Sequence, residues 1–367
     1  MCRKTVYKCD NLINGAKVLK NAFMIVEGDT ITKIGSIDGA KIDQYEQIID
    51  LSGKTIMPGI IDCHVHITVD PEPDFTGFVG RDSISKITLR GVSNLRKTLQ
   101  GGVTYFRDLG GYEYIDIELK KCIKEGLITG PNFLASGKMI TMTGGHGWVL
   151  GRQCDGPDEV RKATREQIKA GADVIKIMAT GGNLTPGTKP GVAQLTRDEI
   201  QAAVEEAHKA GKKTSTHAHG AEGIKNAILA GIDTVEHGMY IDDEAIELMI
   251  ENDVYYVPTL VAPWICAQVG AEKGLDPEAV EKVKRSIDTH MESFRKAREA
   301  GVKIALGTDA GTPFCEHGKS YVQELKLMVE GGFTPMEAIT SATKTAAKVL
   351  GIDDSYGTLE EGKIADF

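Results

Sequence analysis

Two histidines separated by one residue close the stretch Ile60-Ile61-Asp62-Cys63-His64-Val65-His66. Side chains alternate along a strand, so His64 and His66 would project to one side, where two imidazoles can grip one metal ion. Taken alone, the pair reads equally well as a strand with two polar residues. Four further strand-like runs end in groups of the same chemical kind. Lys176 lies inside Ile175-Lys176-Ile177, and His217 closes Ser215-Thr216-His217. His237 closes Val235-Glu236-His237, and Asp309 closes Leu306-Gly307-Thr308-Asp309. Singly, each has a plain reading as a half-exposed lysine, a packed histidine or a helix cap. Six such residues at strand ends are hard to assign to coincidence. Nitrogen and carboxylate donors of this kind suit Zn²⁺ best, with Mn²⁺, Fe²⁺ or Co²⁺ as alternatives.

The elements that would carry these residues are legible in the texture of the chain. From Pro58 onward, helical sequence is followed again and again by a short glycine turn and a β-branched run. Gln100-Gly101-Gly102, Ala170-Gly171, Ala210-Gly211, Ala230-Gly231 and Ala300-Gly301 each place Gly where a helix hands over to a strand. Thr196-Arg197-Asp198-Glu199 and Thr334-Pro335-Met336-Glu337 are capping boxes, and Asp276-Pro277 opens another helix. Strand ends are expected near His66, Asp108, Ser136, Met178, His217, His237, Leu260 and Asp309, a set that fits an α/β fold of the (β/α)8 TIM-barrel type. An open doubly wound sheet would carry Gly-x-Gly-x-x-Gly early in the unit, and that pattern is absent. Residues 1–55 instead alternate short β-rich runs with turns, as an antiparallel sheet would, and strand-like sequence returns at Tyr356-Gly357-Thr358-Leu359. The expected organisation is therefore a small composite β-sandwich domain from 1–55 plus 352–367 and a barrel over 56–351.

The bulk numbers exclude other classes. With 41% hydrophobic and 26% charged residues in 367, the chain can bury a large core. A net charge of -9 without a basic run disfavours nucleic acid. Met1-Cys2-Arg3-Lys4 leads into strand-like sequence rather than an apolar leader, and no run of about 18 apolar residues follows. Seven scattered cysteines without a Cys-x-x-Cys pair suggest reduced thiols and a cytoplasmic protein.

His64-x-His66, Lys176, His217, His237 and Asp309, in this order, resemble the amidohydrolase superfamily of metal-dependent hydrolases. The resemblance extends to Gly53-Lys54-Thr55-Ile56-Met57-Pro58-Gly59, Arg107-Asp108-Leu109-Gly110-Gly111, Thr143-Gly144-Gly145-His146-Gly147 and Glu361-Gly362-Lys363-Ile364-Ala365-Asp366. Ile175-Lys176-Ile177-Met178-Ala179-Thr180-Gly181-Gly182 and His217-Ala218-His219-Gly220 are most similar to the prolidase-like, imidazolonepropionase-related branch. The resemblance implies two divalent metal ions, with His64, His66 and Asp309 on one, His217 and His237 on the other, and a carboxylated Lys176 bridging them. A metal-activated hydroxide would then cleave a C–N amide bond in a dipeptide of the Xaa-Pro or Xaa-Arg/Lys type or in an N-acyl amino acid. Asp309 would serve as general base and acid. His146 would contact the substrate, Tyr240 or Arg152 would meet its carboxylate, and His219 would be a neighbour of the site rather than a ligand. Packing for Tyr240 and solvation for Arg152 stay open as alternatives.

The rival readings are a cyclic-amide hydrolase of the imidazolonepropionase type, against which Lys176 argues, and an inactive scaffold, which would have lost ligands. The expected partner is a small-molecule substrate, in a homo-oligomer without nucleic acid or membrane. In the family the small sheet continues beyond Gly-Lys-x-Ala-Asp, whereas this sequence stops at Phe367, so that sheet is expected to be incomplete or smaller.

Overall fold

The computed structural model describes residues 4–367, so Met1, Cys2 and Arg3 of the opening run lie outside the described residues. Two compact units emerge, one from residues 4–61 with Thr334–Phe367 and one from Asp62–Phe333.

In the first unit, β1 (Lys4–Asn14), β2 (Lys17–Glu27), β3 (Thr30–Ser36) and β4 (Gln47–Ile56) form a sheet in the order β3-β2-β1-β4. Tight turns at Gly15 and Gly28, both with positive φ, fold the first three strands antiparallel. The sheet is not antiparallel throughout, because β4 pairs with β1 in parallel. Residues 37–46 form a connection long enough to carry the chain across, which a hairpin turn could not do. Leu12, Met24, Ile31, Ile56 and Leu359 are buried together as its core. The expected strand at Tyr356–Leu359 is absent. Residues 352–367 form turns and meet β3 through the bridge between Thr30 and Ile364, the Ile31 N–H donating to Lys363 O at 2.8 Å and the Gly362 N–H donating to Ile31 O at 2.8 Å.

The second unit alternates strands with helices. Its strands are β5 (Ile60–Val65), β6 (Val103–Asp108), β7 (Asn132–Ala135), β8 (Ile140–Thr141), β9 (Arg152–Gln153), β10 (Val174–Met178), β11 (Lys213–Gly220), β12 (Thr234–Tyr240) and β13 (Tyr255–Val257). They pair as β5-β6-β7 and as β13-β12-β11-β10-β8-β9, with parallel registers. Every residue of β5 and β10 is buried, as expected for strands covered on both faces. Among the helices, Arg197–Lys209 starts on the Thr196 and Glu199 capping box, and Gly171 and Gly301 end their helices in the left-handed conformation.

Two departures from expectation concern the strands. β8 and β9 are two residues each, too short to leave a periodic signal. The run ending at Asp309 is not a continuous strand. It makes isolated parallel bridges, Ile304 with Tyr256 and Ala310 with Val65. Backbone hydrogen bonds of 3.0 Å from Cys63 N to Leu306 O and from Ala305 N to Tyr256 O hold it between β5 and β13.

Candidate active site

Parallel register brings the chemistry-bearing residues together. Lys176 and Met178 lie on the same face of β10, and Met178 pairs with His217 of β11, which in turn pairs with Glu236 of β12. In a regular strand His237 would then face the opposite way. Its φ of 70° breaks the alternation, and Asp309 (φ 61°) and Thr259 (φ 49°) are also left-handed. Such a backbone costs on the order of 1–3 kcal/mol per residue for non-glycine side chains, so it persists only where surrounding contacts impose it. The His237 carbonyl accepts from Tyr256 Oη at 2.8 Å and lies 2.7 Å from His290 Nε2. Asp62 supplies the equivalent support near Asp309, accepting from Thr308 N at 3.0 Å and from Thr308 Oγ1 at 2.6 Å.

His64, His66 and Asp309 offer ligand atoms within 4.8 Å of one another. His64 Nδ1 lies 3.0 Å from Glu236 Oε2, and His66 Nδ1 lies 3.2 Å from Gly110 O. Both partners are acceptors, so each ring carries its proton on Nδ1 and presents the Nε2 lone pair inward. The two Nε2 atoms stand 3.4 and 3.2 Å from Asp309 Oδ1, a buried oxygen with no hydrogen-bond partner. Two ring nitrogens and a carboxylate oxygen thus converge on one point. The donor set therefore fits a divalent metal, two imidazoles and a carboxylate being ordinary ligands.

A second set lies alongside. The rings of His217 and His237 are 4.6 Å apart between centroids. His217 Nε2 lies 3.2 Å from Gly181 O and His237 Nδ1 lies 2.7 Å from Thr259 Oγ1, leaving Nδ1 of the first ring and Nε2 of the second as the remaining donor atoms. Lys176 is buried, and its Nζ has no hydrogen-bond partner. Burial lowers its pKa to about 8, against the pull of Glu236 and Asp309. Burial likewise holds His217 and His237 well below the ordinary imidazole value and takes His64 to about 4. For His66 burial is outweighed by the Asp309 carboxylate and the pKa rises. Burial opposes ionisation of Asp309, yet His64, His66 and Lys176 together bring its carboxyl to about 2.

Glu236 is a residue to which sequence reasoning gave no role. It is fully buried, and its Oε1 accepts from Arg107 at 2.8 Å, Ser215 Oγ at 2.7 Å and Thr234 Oγ1 at 2.6 Å. Arg107, also buried, donates through Nε to Cys63 O at 2.8 Å. An acidic residue inside an otherwise apolar strand, one position before His237, was the available signal, with Arg107 as its counter-charge.

His64, His66, Lys176, His217, His237 and Asp309 all line one cavity of about 470 Å³, as do His146 and His219, whereas Glu236 and Arg107 do not line it. The His146 ring lies 4.2 Å from that of His217, with Nδ1 buried and unpartnered. Gly182 lets this ring in, since a Cβ there would fall 2.3 Å from its Cε1. His219 Nδ1 and Asn183 Oδ1 are buried without partners too. Tyr240 and Arg152 do not line the cavity. Arg152 is drawn off by Glu166, to which its Nε donates at 2.9 Å, and Tyr240 comes at the very end of β12, past the left-handed turn.

The model of the amidohydrolase family matches residues 55–367. Ochratoxinase of Aspergillus niger is 35% identical over 382 residues, covering 95% of this chain and 77% of that protein. A crystal structure of a Xaa-Pro dipeptidase with methionine bound in its active site is similar at a TM-score of 0.90 and 36% identity, covering 99% of this chain and 92% of the other. A prolidase complexed with N-methylphosphonate-L-proline is similar at a TM-score of 0.90 and 32% identity, covering 99% and 91%.

Proposed function

The chain belongs to the amidohydrolase family, hydrolases of carbon–nitrogen bonds, and from that premise we propose that it is a binuclear enzyme cleaving the amide of a dipeptide or N-acyl amino acid. The observation that carries this reading is the convergence of the His64 and His66 lone pairs on the unpartnered Asp309 Oδ1, beside an unpartnered buried amine at Lys176. Closure of the parallel strands into a (β/α)8 barrel is part of the same proposal. The bridges of Ile304 and Ala310 to β13 and β5, and the Asp173 N–H donating to Ala135 O at 2.8 Å, support it.

His64, His66 and Asp309 would hold one divalent ion, with Zn²⁺ favoured by donor type, and His217 with His237 a second. Divalent ions bound there supply Lewis acidity that polarises the scissile carbonyl and acidifies a water. Lys176 is suited to carboxylation, because a lowered pKa leaves part of its amine neutral near pH 8. Its nitrogen adds to CO₂, one N–C bond forms, one proton leaves, and the resulting carbamate anion replaces a cation that two metal ions would repel. Asp309, ionised, accepts a proton from the attacking water as the oxygen joins the carbonyl carbon. The same proton passes to the leaving nitrogen as the C–N bond breaks. His146, neutral because burial lowers its pKa to about 4, donates an N–H to the substrate carbonyl.

Metal content and one substitution test this reading. Two equivalents of metal per chain are expected, and Lys176→Ala should reduce kcat/KM by on the order of 100-fold or more. One equivalent in fully active protein, with Lys176→Ala retaining most activity, would overturn it.

A further inference from the structure

Among the residues lining the cavity, Lys176 and Asp309 alone carry a charged side chain other than histidine, and both belong to the proposed ligand set. Much of the remaining lining is apolar and includes Phe75, Leu184, Pro263, Cys266 and Val283. Its backing is apolar as well. Cys266 and Val283 are buried in a cluster with Leu275, Ala279 and Val280, and Leu184 packs against that cluster. Burial pushes the Cys266 thiol up to about 12, so the wall holds no thiolate. A neighbouring cation, Lys282, does not line the cavity and is paired with Glu278 at 2.8 Å.

From this distribution we propose that the site selects amides whose amino-acid side chain is apolar and rejects those whose side chain is charged. The inference rests on the hydrolase reading above and deepens it by naming the substrate class. An apolar side chain placed against this wall leaves water for a surface of its own kind, and each buried methylene is worth about 4-fold in affinity. A lysine, arginine or aspartate side chain in the same place loses its hydration and meets no counter-charge, a cost that nothing along the wall offsets. The amide of Asn183 and the hydroxyls of Thr76, Thr185 and Thr312, also on the lining, carry no formal charge to replace that hydration.

Two measurements on the metal-loaded protein separate this inference from the reading beneath it. The first is calorimetric binding of free leucine, methionine and phenylalanine against lysine, arginine and aspartate, which requires no turnover. The second is kcat/KM for amine release from the N-acetyl derivatives of the same six. The apolar members should exceed the charged ones by about 100-fold or more in both. Leu184→Glu should narrow that gap for lysine and arginine by at least about 10-fold, since it supplies the missing counter-charge. Charged amino acids binding as tightly as apolar ones, or no binding by any of the six, would overturn the selectivity. Binding of the apolar set without release of amine would uphold the selectivity and defeat the hydrolase reading instead.

Discussion

Glu236 decides which nitrogen His64 can offer. A carboxylate held by Arg107, Ser215 and Thr234 accepts the Nδ1 proton and leaves Nε2 for a metal, an arrangement whose loss typically costs 10–100-fold in metal affinity. Glu236→Gln should therefore weaken metal binding by about that factor, read by competition with a chromophoric chelator on protein shown to be folded by circular dichroism. An unchanged affinity would mean that the His64 tautomer is set by something else. Gly182→Ala should act through His146. The added methyl would stand 2.3 Å from the ring, so the imidazole must move, and kcat/KM should fall while metal content stays at the wild-type value.

At the scale of elements, the site depends on strands that end abruptly and helices that begin in defined places. The left-handed residues His237 and Asp309 place side chains on the cavity, and left-handed Thr259 sets its hydroxyl 2.7 Å from His237 Nδ1. The helices are set by local chemistry. Thr196 Oγ1 accepts from Glu199 N while the Glu199 carboxylate accepts from Thr196 N at 2.7 Å, and this helix directly precedes the strand bearing His217. Thr196→Ala should destabilise the protein by about 1 kcal/mol in urea denaturation and leave metal content unchanged. A loss of metal without loss of stability would contradict a purely capping role.

For the whole molecule, stability should depend on pH through a group outside the proposed ligand set. Glu324 is fully buried and accepts from Leu260 N at 2.9 Å and Val261 N at 2.6 Å. Burial pushes its carboxyl from 4.5 up to about 8, against those two donors. Between these values the folded protein holds a proton that the unfolded chain has released, so this contribution is full below pH 4.5 and is lost as pH rises towards 8. Glu324→Gln keeps a neutral acceptor and removes the titration. Its stability relative to wild type should improve from pH 5 to pH 8, and a constant difference across that range would show that Glu324 is already ionised at pH 5. Metal should also stabilise the fold by mass action. Loading at 100 times the dissociation constant is worth about 2.7 kcal/mol, so chelation should lower the thermal midpoint.

The sequence by itself determined the donor types and the family pattern, because His-x-His, a lysine inside an apolar strand and Gly or Thr at helix ends are local features whose chemistry survives without coordinates. It also marked most strand ends to within a few residues, since apolar runs bounded by turns are local as well. Only the tertiary structure decided which ring nitrogens are committed, for the acceptors of His64 and His66 come from Glu236 and Gly110, distant in the chain. It likewise decided that β4 lies parallel to β1, that the run to Asp309 is held by isolated bridges, and that Arg152 turns to Glu166 while Glu236 stands behind the site. Each of these outcomes is a choice among partners far apart in sequence. Spacing along the chain says what a residue can do, and the packing of distant segments settles which neighbour it does it with.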